Sequence, residues 1–190
     1  QVLWNRRFQY RTTNNQLRGT SAPGEAALPD YADDPAARYT ERYAYDAHGN
    51  LADMPHLAGL SWDAEDRLAA VDLQGGGKAY YVYGAHGQRL RKVVERLGAT
   101  VEEHLYLGEY EVDRRSVNGT LQRERRSLSV LDDRERVALF ETLVVDAQAP
   151  VNAPASLARY HLSDPLDSVA LEVDEAARVH FVKRFDERRQ

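Results

Sequence analysis

The chain has 190 residues, with 25 basic and 30 acidic side chains and a formal charge of −5. That length supports one domain with a real core, and the acidic balance argues against binding nucleic acid through a general basic field. Cysteine is absent, which excludes a disulfide framework or a thiolate metal site, and the sequence has neither a signal-peptide pattern nor an apolar run long enough to cross a bilayer as a helix.

Residues 1–18 read as two short strands around a polar turn, with Phe8-Gln9-Tyr10 leading to Asn14-Asn15-Gln16-Leu17. Residues 19–38 carry Gly19, Pro23, Gly24, Pro29 and Pro35 without an apolar period, and read as a loop or linker. Residues 39–145 then form a β array built on a recurring unit. Tyr43-Ala44-Tyr45-Asp46-Ala47-His48-Gly49-Asn50-Leu51 returns, loosened, as Tyr81-Val82-Tyr83-Gly84-Ala85-His86-Gly87-Gln88-Arg89-Leu90. Between the two lies Leu60-Ser61-Trp62-Asp63-Ala64-Glu65-Asp66-Arg67-Leu68. The aromatics Tyr45, Trp62, Tyr83 and Tyr106 are 17, 21 and 23 residues apart, so each unit is close to one β-hairpin. A period of this length signals an array rather than a compact enzyme fold.

Each residue type has a physical reason to be there. Tyr43 and Tyr45 alternate with Ala44, which places both rings on one sheet face. Asp46 and Asp63 start turns, where a short carboxylate bonds nearby backbone N–H groups. Gly49 and Gly87 supply a positive φ without steric penalty, and Asn50 tolerates that region. Leu51, Leu68 and Leu90 restart the return strand, with Arg67 just before the second. Ala64 to Leu73 could be written as a helix, but Trp62, Val71 and the repeat register favour two strands around Glu65-Asp66.

Further along, Gly75-Gly76-Gly77 joins two strands, and Asn118-Gly119 predicts a type I′ hairpin between 110–117 and 120–126. Looser copies follow: Ser127 to Leu139 with an acidic turn at Asp132-Asp133, and Leu171 to Val179 with a turn at Asp174-Glu175-Ala176-Ala177. Residues 146–157, with Pro150 and Pro154, read as a second loop, and 158–185 return to strand patterning.

Several constellations carry residue types suited to chemistry. His48 and His86 occupy the same place in two repeats and read as exposed turn residues. His56, His104, His161 and His180 lack ligand spacing, so no metal or cofactor is expected. Asp63, Glu65, Asp66, Asp132 and Asp133 could supply the paired carboxylates of a glycosidase, but turns account for them equally well. No Gly-x-Ser-x-Gly elbow is present, and the triple glycine is followed by no Gly-Lys-Ser/Thr. The basic clusters Arg114-Arg115, Arg123 with Arg125-Arg126, and Lys183-Arg184 read as solvated strand faces. Tyr43, Tyr45, Trp62, Tyr81 and Tyr83 read as rings stacking across strands, with sugar contact as the other possibility.

The pairs Tyr45-Asp46…Gly49-Asn50-Leu51 and Trp62-Asp63-Ala64-Glu65-Asp66-Arg67-Leu68 resemble the YD repeat of the Rhs/YD-repeat family. The order of Met54-Pro55-His56-Leu57, the triple glycine, Tyr106-Leu107-Gly108 and Arg159-Tyr160-His161-Leu162 resembles most the C component of bacterial insecticidal toxin complexes (Tc toxins). The resemblance covers about residues 40–180. It implies an all-β fold, antiparallel hairpins forming a curved sheet that is part of a spiral β-shell. It also implies a non-catalytic role, encapsulating and helping to deliver a toxic C-terminal cargo. Expected partners are the rest of the shell, the cargo and the toxin-complex B component, with no nucleic acid and no membrane span. The expected location is secreted or extracellular, after synthesis in the bacterial cytoplasm. The family's self-cleavage aspartates have no matching positions here, so no catalytic residue is carried over.

Residues 158–190 are expected to be a divergent start of the family's core-associated region. Asp164-Pro165-Leu166-Asp167-Ser168 departs from the usual Asp-His-Leu-Gly-Ser, Ala177 stands where a turn glycine is usual, and Phe185-Asp186-Glu187 replaces an aromatic-proline motif. Unchanged backbone there would be strained. The start at Gln1 and the charged end at 186–190 give the expectation of an interior fragment with unpaired sheet edges. The alternative functions are an extracellular carbohydrate- or cell-surface-binding repeat module, and a glycosidase or remnant self-protease.

Overall fold

The computed structural model describes residues 6–24, 39–133, 135–149, 151, 156–163 and 169–182, the backbone alone for Val169 and Val182. The Asp164–Ser168 and Phe185–Glu187 segments, and most of the two expected loops, lie outside the described residues. The chain divides into two units, Gln1–Tyr81 and Val82–Gln190.

The fold is all-β, as the repeat predicts. The first unit holds β1 (Phe8–Tyr10), β2 (Leu17–Thr20), β3 (Glu41–Arg42), β4 (Ala44–Tyr45), β5 (Leu51–Asp53), β6 (Ala58–Trp62) and β7 (Leu68–Asp72). A 3-10 turn at Gln74–Gly76 leads into β8 (Lys78–Tyr83), which runs across the division. The second unit continues with β9 (Arg89–Arg96), β10 (Thr100–Leu107), β11 (Tyr110–Val117) and β12 (Thr120–Asp132). It ends with β13 (Glu135–Asp146), β14 (Ser156–Ser163), β15 (Val169–Val173) and β16 (Val179–Val182). The strands from β6 to β16 form an 11-stranded antiparallel sheet in unbroken sequence order, while β1-β2-β3 and β4-β5 form two small sheets. Every neighbour in the large sheet is thus the next strand in the chain, as short hairpin turns require. Ala64 to Leu73, which could be written as a helix, form the turn that follows β6 and then β7.

Tyr43 and Tyr45 depart from the expected single sheet. Tyr43 N–H donates to Arg18 O of β2, whereas Tyr45 pairs with Leu51 of β5. The chain changes partner between them, although both rings stay half-buried and Ala44 stays exposed. The alternation is right, but the sheets are two.

In the second unit the register sorts side chains onto two faces. One carries Val112, Leu128, Phe140, Ala158 and the row Val130–Ala138–Tyr160–Val173. The other carries His104, Asp113, Arg125, Glu141, Arg159 and His161. The apolar face is incompletely covered: Leu128, Val130, Tyr160 and Leu162 are all exposed, while Val112, Ala138 and Ala158 are buried.

Asn118 (φ 50°) and Gly119 (φ 76°) connect β11 to β12, the paired positive angles of a type I′ turn. A Cβ at Gly119 would meet nothing within 4 Å, so only backbone conformation restricts the site. Gly119→Val is therefore expected to lower stability by about 1–2 kcal/mol, the penalty of a left-handed angle for a side chain with a Cβ, read as a lower urea midpoint with unchanged slope.

Candidate functional site

The repeat turn is a five-residue device seen four times among the described residues. In its first copy, Asp46 N–H donates to Asn50 O at 2.9 Å and Gly49 N–H donates to Asp46 O at 3.2 Å. Asp46 Oδ1 accepts the backbone N–H groups of His48 and Asn50, both at 2.9 Å. The carboxylate therefore satisfies donors that the turn would otherwise leave to water. Asp63 repeats this with Glu65 and Arg67 N–H at 3.0 and 2.9 Å, and adds the Arg67 Nε at 2.8 Å on Oδ2. Asp174 repeats it with Ala176 and Arg178 N–H at 2.9 and 2.8 Å.

The copy at Gly84 reaches the same backbone by other means. Gly84 N–H donates to Gln88 O at 2.9 Å, and Gln88 Oε1 accepts His86 N–H at 3.1 Å. A Cβ at Gly84 would lie 2.7 Å from the Gln88 amide, so the glutamine occupies the place of the missing aspartate.

The fourth residue of each turn has a positive φ: Gly49 at 94°, Asp66 at 58°, Gly87 at 78° and Ala177 at 58°. The backbone is thus kept at Ala177 although the glycine is gone, with the strain expected of an alanine in that region.

The Asp46 and Asp63 turns are tied together. Asp66 Oδ1 accepts Asn50 Nδ2 at 2.7 Å and faces His48 Nδ1 at 2.9 Å. Trp62 Nε1 donates to Leu51 O at 2.8 Å. Trp62 therefore uses its polar edge to join one hairpin to the next. Of the other rings singled out, Tyr83 lies under the Arg89 guanidinium, 5.9 Å from the ring centre.

These contacts shift the ionisations. Desolvation pushes Asp46 up, but hydrogen bonds from Asn50, His48 and Gly49 hold it below its ordinary 3.8. Asp63 is likewise low: desolvation is outweighed by its bonds from Arg67 and Glu65. Hydrogen bonds from Asn50 and then His48 lower Asp66, and the bond to Asp66, followed by the charges of Asp66 and Asp46, raises His48 above 6.5. A general acid for glycoside cleavage needs the reverse, a carboxyl held up. Among the described residues, no group of three or more His, Asp or Glu side chains is placed to hold a metal ion.

The second unit carries a feature that sequence reading passed over. On the polar face, charges alternate in sign from strand to strand. His104 Nδ1 meets Asp113 at 2.7 Å, Asp113 meets Arg125 at 3.3 Å, and Arg125 meets Glu141 at 3.0 Å. Glu141 then meets Arg159 at 3.2 Å, and Arg159 meets Glu172 at 2.9 Å. His161 closes the row as a buried ring beside Glu172, with Nδ1 accepting from Arg136 Nε at 3.3 Å. Burial first, and then the Arg136 charge, pushes His161 below its ordinary value. On the opposite face Glu124 is buried and takes Arg114 at 2.9 Å and Arg126 at 2.7 Å. Desolvation raises Glu124, but these two partners outweigh it and leave it low. The charged residues were visible in the sequence; which of them meet depended on register.

Fold and turns together define an antiparallel hairpin-repeat protein. No protein-family model and no curated protein matches the chain. Among solved structures it is similar to a crystal structure of TcdB2-TccC3, at TM-score 0.58 and 19% identity, covering 71% of this chain and 7% of that one. It is similar to a crystal structure of TcdB2-TccC3-TEV at TM-score 0.59 and 18% identity, covering 93% and 9%. It is also similar to the Photorhabdus luminescens Tc holotoxin pore with a TccC3 mutation, at TM-score 0.57 and 18% identity, covering 93% and 9%. The likeness is one of fold, and the chain spans less than a tenth of the length of these neighbours.

Two outcomes are expected at the turns. Ala177→Gly is expected to stabilise the chain by about 0.5–1 kcal/mol, relief of the left-handed penalty less the extra entropy of glycine, read as a higher urea midpoint. The His48–Asp66 link depends on pH from both sides. Asp66 is lowered, so its contribution is present above 3.8 and is lost as pH falls through its folded value. His48 is raised, so its contribution is complete below 6.5 and is lost as pH rises through its folded value. Melting temperature should therefore decline slightly as pH rises above 6.5, and His48→Ala should remove that decline; the same slope in the variant would refute the link.

Proposed function

We propose that the chain is a non-catalytic wall segment of an Rhs/Tc-type toxin shell, which encloses a toxic C-terminal cargo and helps to deliver it. The observation that carries this reading is the repeated carboxylate-capped turn, which builds a meandering sheet in strict chain order. The fold likeness to TcdB2-TccC3 structures supports it. So does the incompletely covered apolar face at Leu128, Val130, Tyr160 and Leu162, since exposed apolar area calls for something to cover it. The lowered turn aspartates support a structural rather than a catalytic use of these carboxylates. In this reading the protein is made in a bacterial cytoplasm and acts outside the cell, with the rest of the shell and its cargo as partners.

The test is protease protection in the parent polypeptide. With the wall intact, the C-terminal part should resist trypsin; Asp46→Ala combined with Asp63→Ala should open the wall and make that part sensitive. Protection that is absent to begin with, together with saturable binding on a glycan array, would move the assignment to a carbohydrate-binding repeat module.

A further inference from the structure

On the polar face of the second unit, a groove of about 300 Å³ lies over β9 to β12. Two cross-strand rows run through it. One is Lys92–His104–Asp113–Arg125, and the next is Val94–Glu102–Arg115–Arg123. The basic side chains in these rows differ in their partners. Arg125 is held by Asp113 and Glu141, and the neighbouring Arg96 is held by Glu102 at 2.9 Å. Arg115, Arg123 and Lys92 line the groove and make no ion pair or side-chain hydrogen bond among the described residues. Asp146 stands opposite Arg123 in register, but its Oδ1 accepts Gln148 N–H at 2.9 Å and forms no ion pair with the arginine.

Arg115 and Arg123 are also directly opposite one another on paired strands. Like charges in that relation repel and destabilise a sheet. Elsewhere on the face the same cross-strand relation is met by opposite charges, as at Asp113 and Arg125. The two exceptions thus carry a repulsion that the rest of the face avoids, and an anion between them would turn it into attraction.

We propose that this groove docks an acidic segment of a partner polypeptide, with one carboxylate bridging Arg115 and Arg123 and a second reaching Lys92. A guanidinium presents paired N–H groups that match a carboxylate. Val94, the buried apolar residue of the second row, gives a floor for an apolar side chain. Glu102, Glu103 and Asp113 also line the groove, and their charges oppose a dense polyanion such as a nucleic acid. Alternate residues of an extended peptide face the same way, so acidic and apolar side chains set two residues apart, with small neutral residues between them, fit this surface. The inference stands independently of the shell reading.

The experiment titrates the 190-residue chain with a fluorescent peptide in which aspartate and valine take turns at every second position, separated by single serines. The comparison probes are the same peptide with asparagine for aspartate, inorganic phosphate, and a single-stranded oligonucleotide. The acidic peptide should bind, the asparagine peptide should bind at least tenfold more weakly, and neither phosphate nor oligonucleotide should displace it at matched charge. Arg115→Gln with Arg123→Gln should weaken the acidic peptide tenfold or more while raising the melting temperature of the free chain, because the repulsion is gone. Lys92→Gln should weaken it as well and serves if the double variant does not fold. Arg178→Gln, which loses one charge as Lys92→Gln does but at a distant turn, should leave binding unchanged. Equal binding of both peptides, displacement by phosphate or oligonucleotide, or a double variant that melts lower with unchanged affinity would each overturn the proposal.

Discussion

A carboxylate that accepts two backbone N–H groups two and four residues ahead is the contact on which the rest depends. It closes the turns at Asp46, Asp63 and Asp174, and Gln88 reproduces part of it at Gly84. A hairpin turn sets the register of the strands on either side, and a slip of one residue would send every side chain to the other face. Register therefore decides whether Leu128 and Tyr160 share a face or meet the row of ion pairs that runs through Arg125, Glu141 and Arg159. The turn is also tolerant in one respect: Asp66 and Ala177 hold a positive φ where Gly49 and Gly87 stand in other copies. Enough hydrogen bonds converge on the aspartate to hold that backbone.

The turns also couple repeat to repeat. Asp66 belongs to one turn and binds His48 and Asn50 of the one before, and Trp62 binds Leu51 O across the same step. At this step one hairpin therefore gives its predecessor a neighbour, which a lone hairpin lacks. In the second unit the same coupling is carried by charge. A row of alternating ion pairs crosses β10 to β15, one strand at a time. Exposed pairs are individually weak, on the order of 0–1 kcal/mol, but a connected row also disfavours slipped registers, because a shift would place like charges together.

What the sequence by itself determined is local. The period of aromatic, aspartate, positive-φ residue and leucine announced hairpins, and Asn118-Gly119 announced its turn, because the chemistry of a turn lies within five residues. The all-β class follows from those turns. Tertiary structure decided whatever depends on which strand meets which. It assigned Tyr43 to the β2 side and Tyr45 to β5, where alternation alone had put them in one sheet. It turned scattered arginines and glutamates into rows, and it left Arg115 facing Arg123, because a cross-strand partner is set by pairing register and not by proximity in the chain.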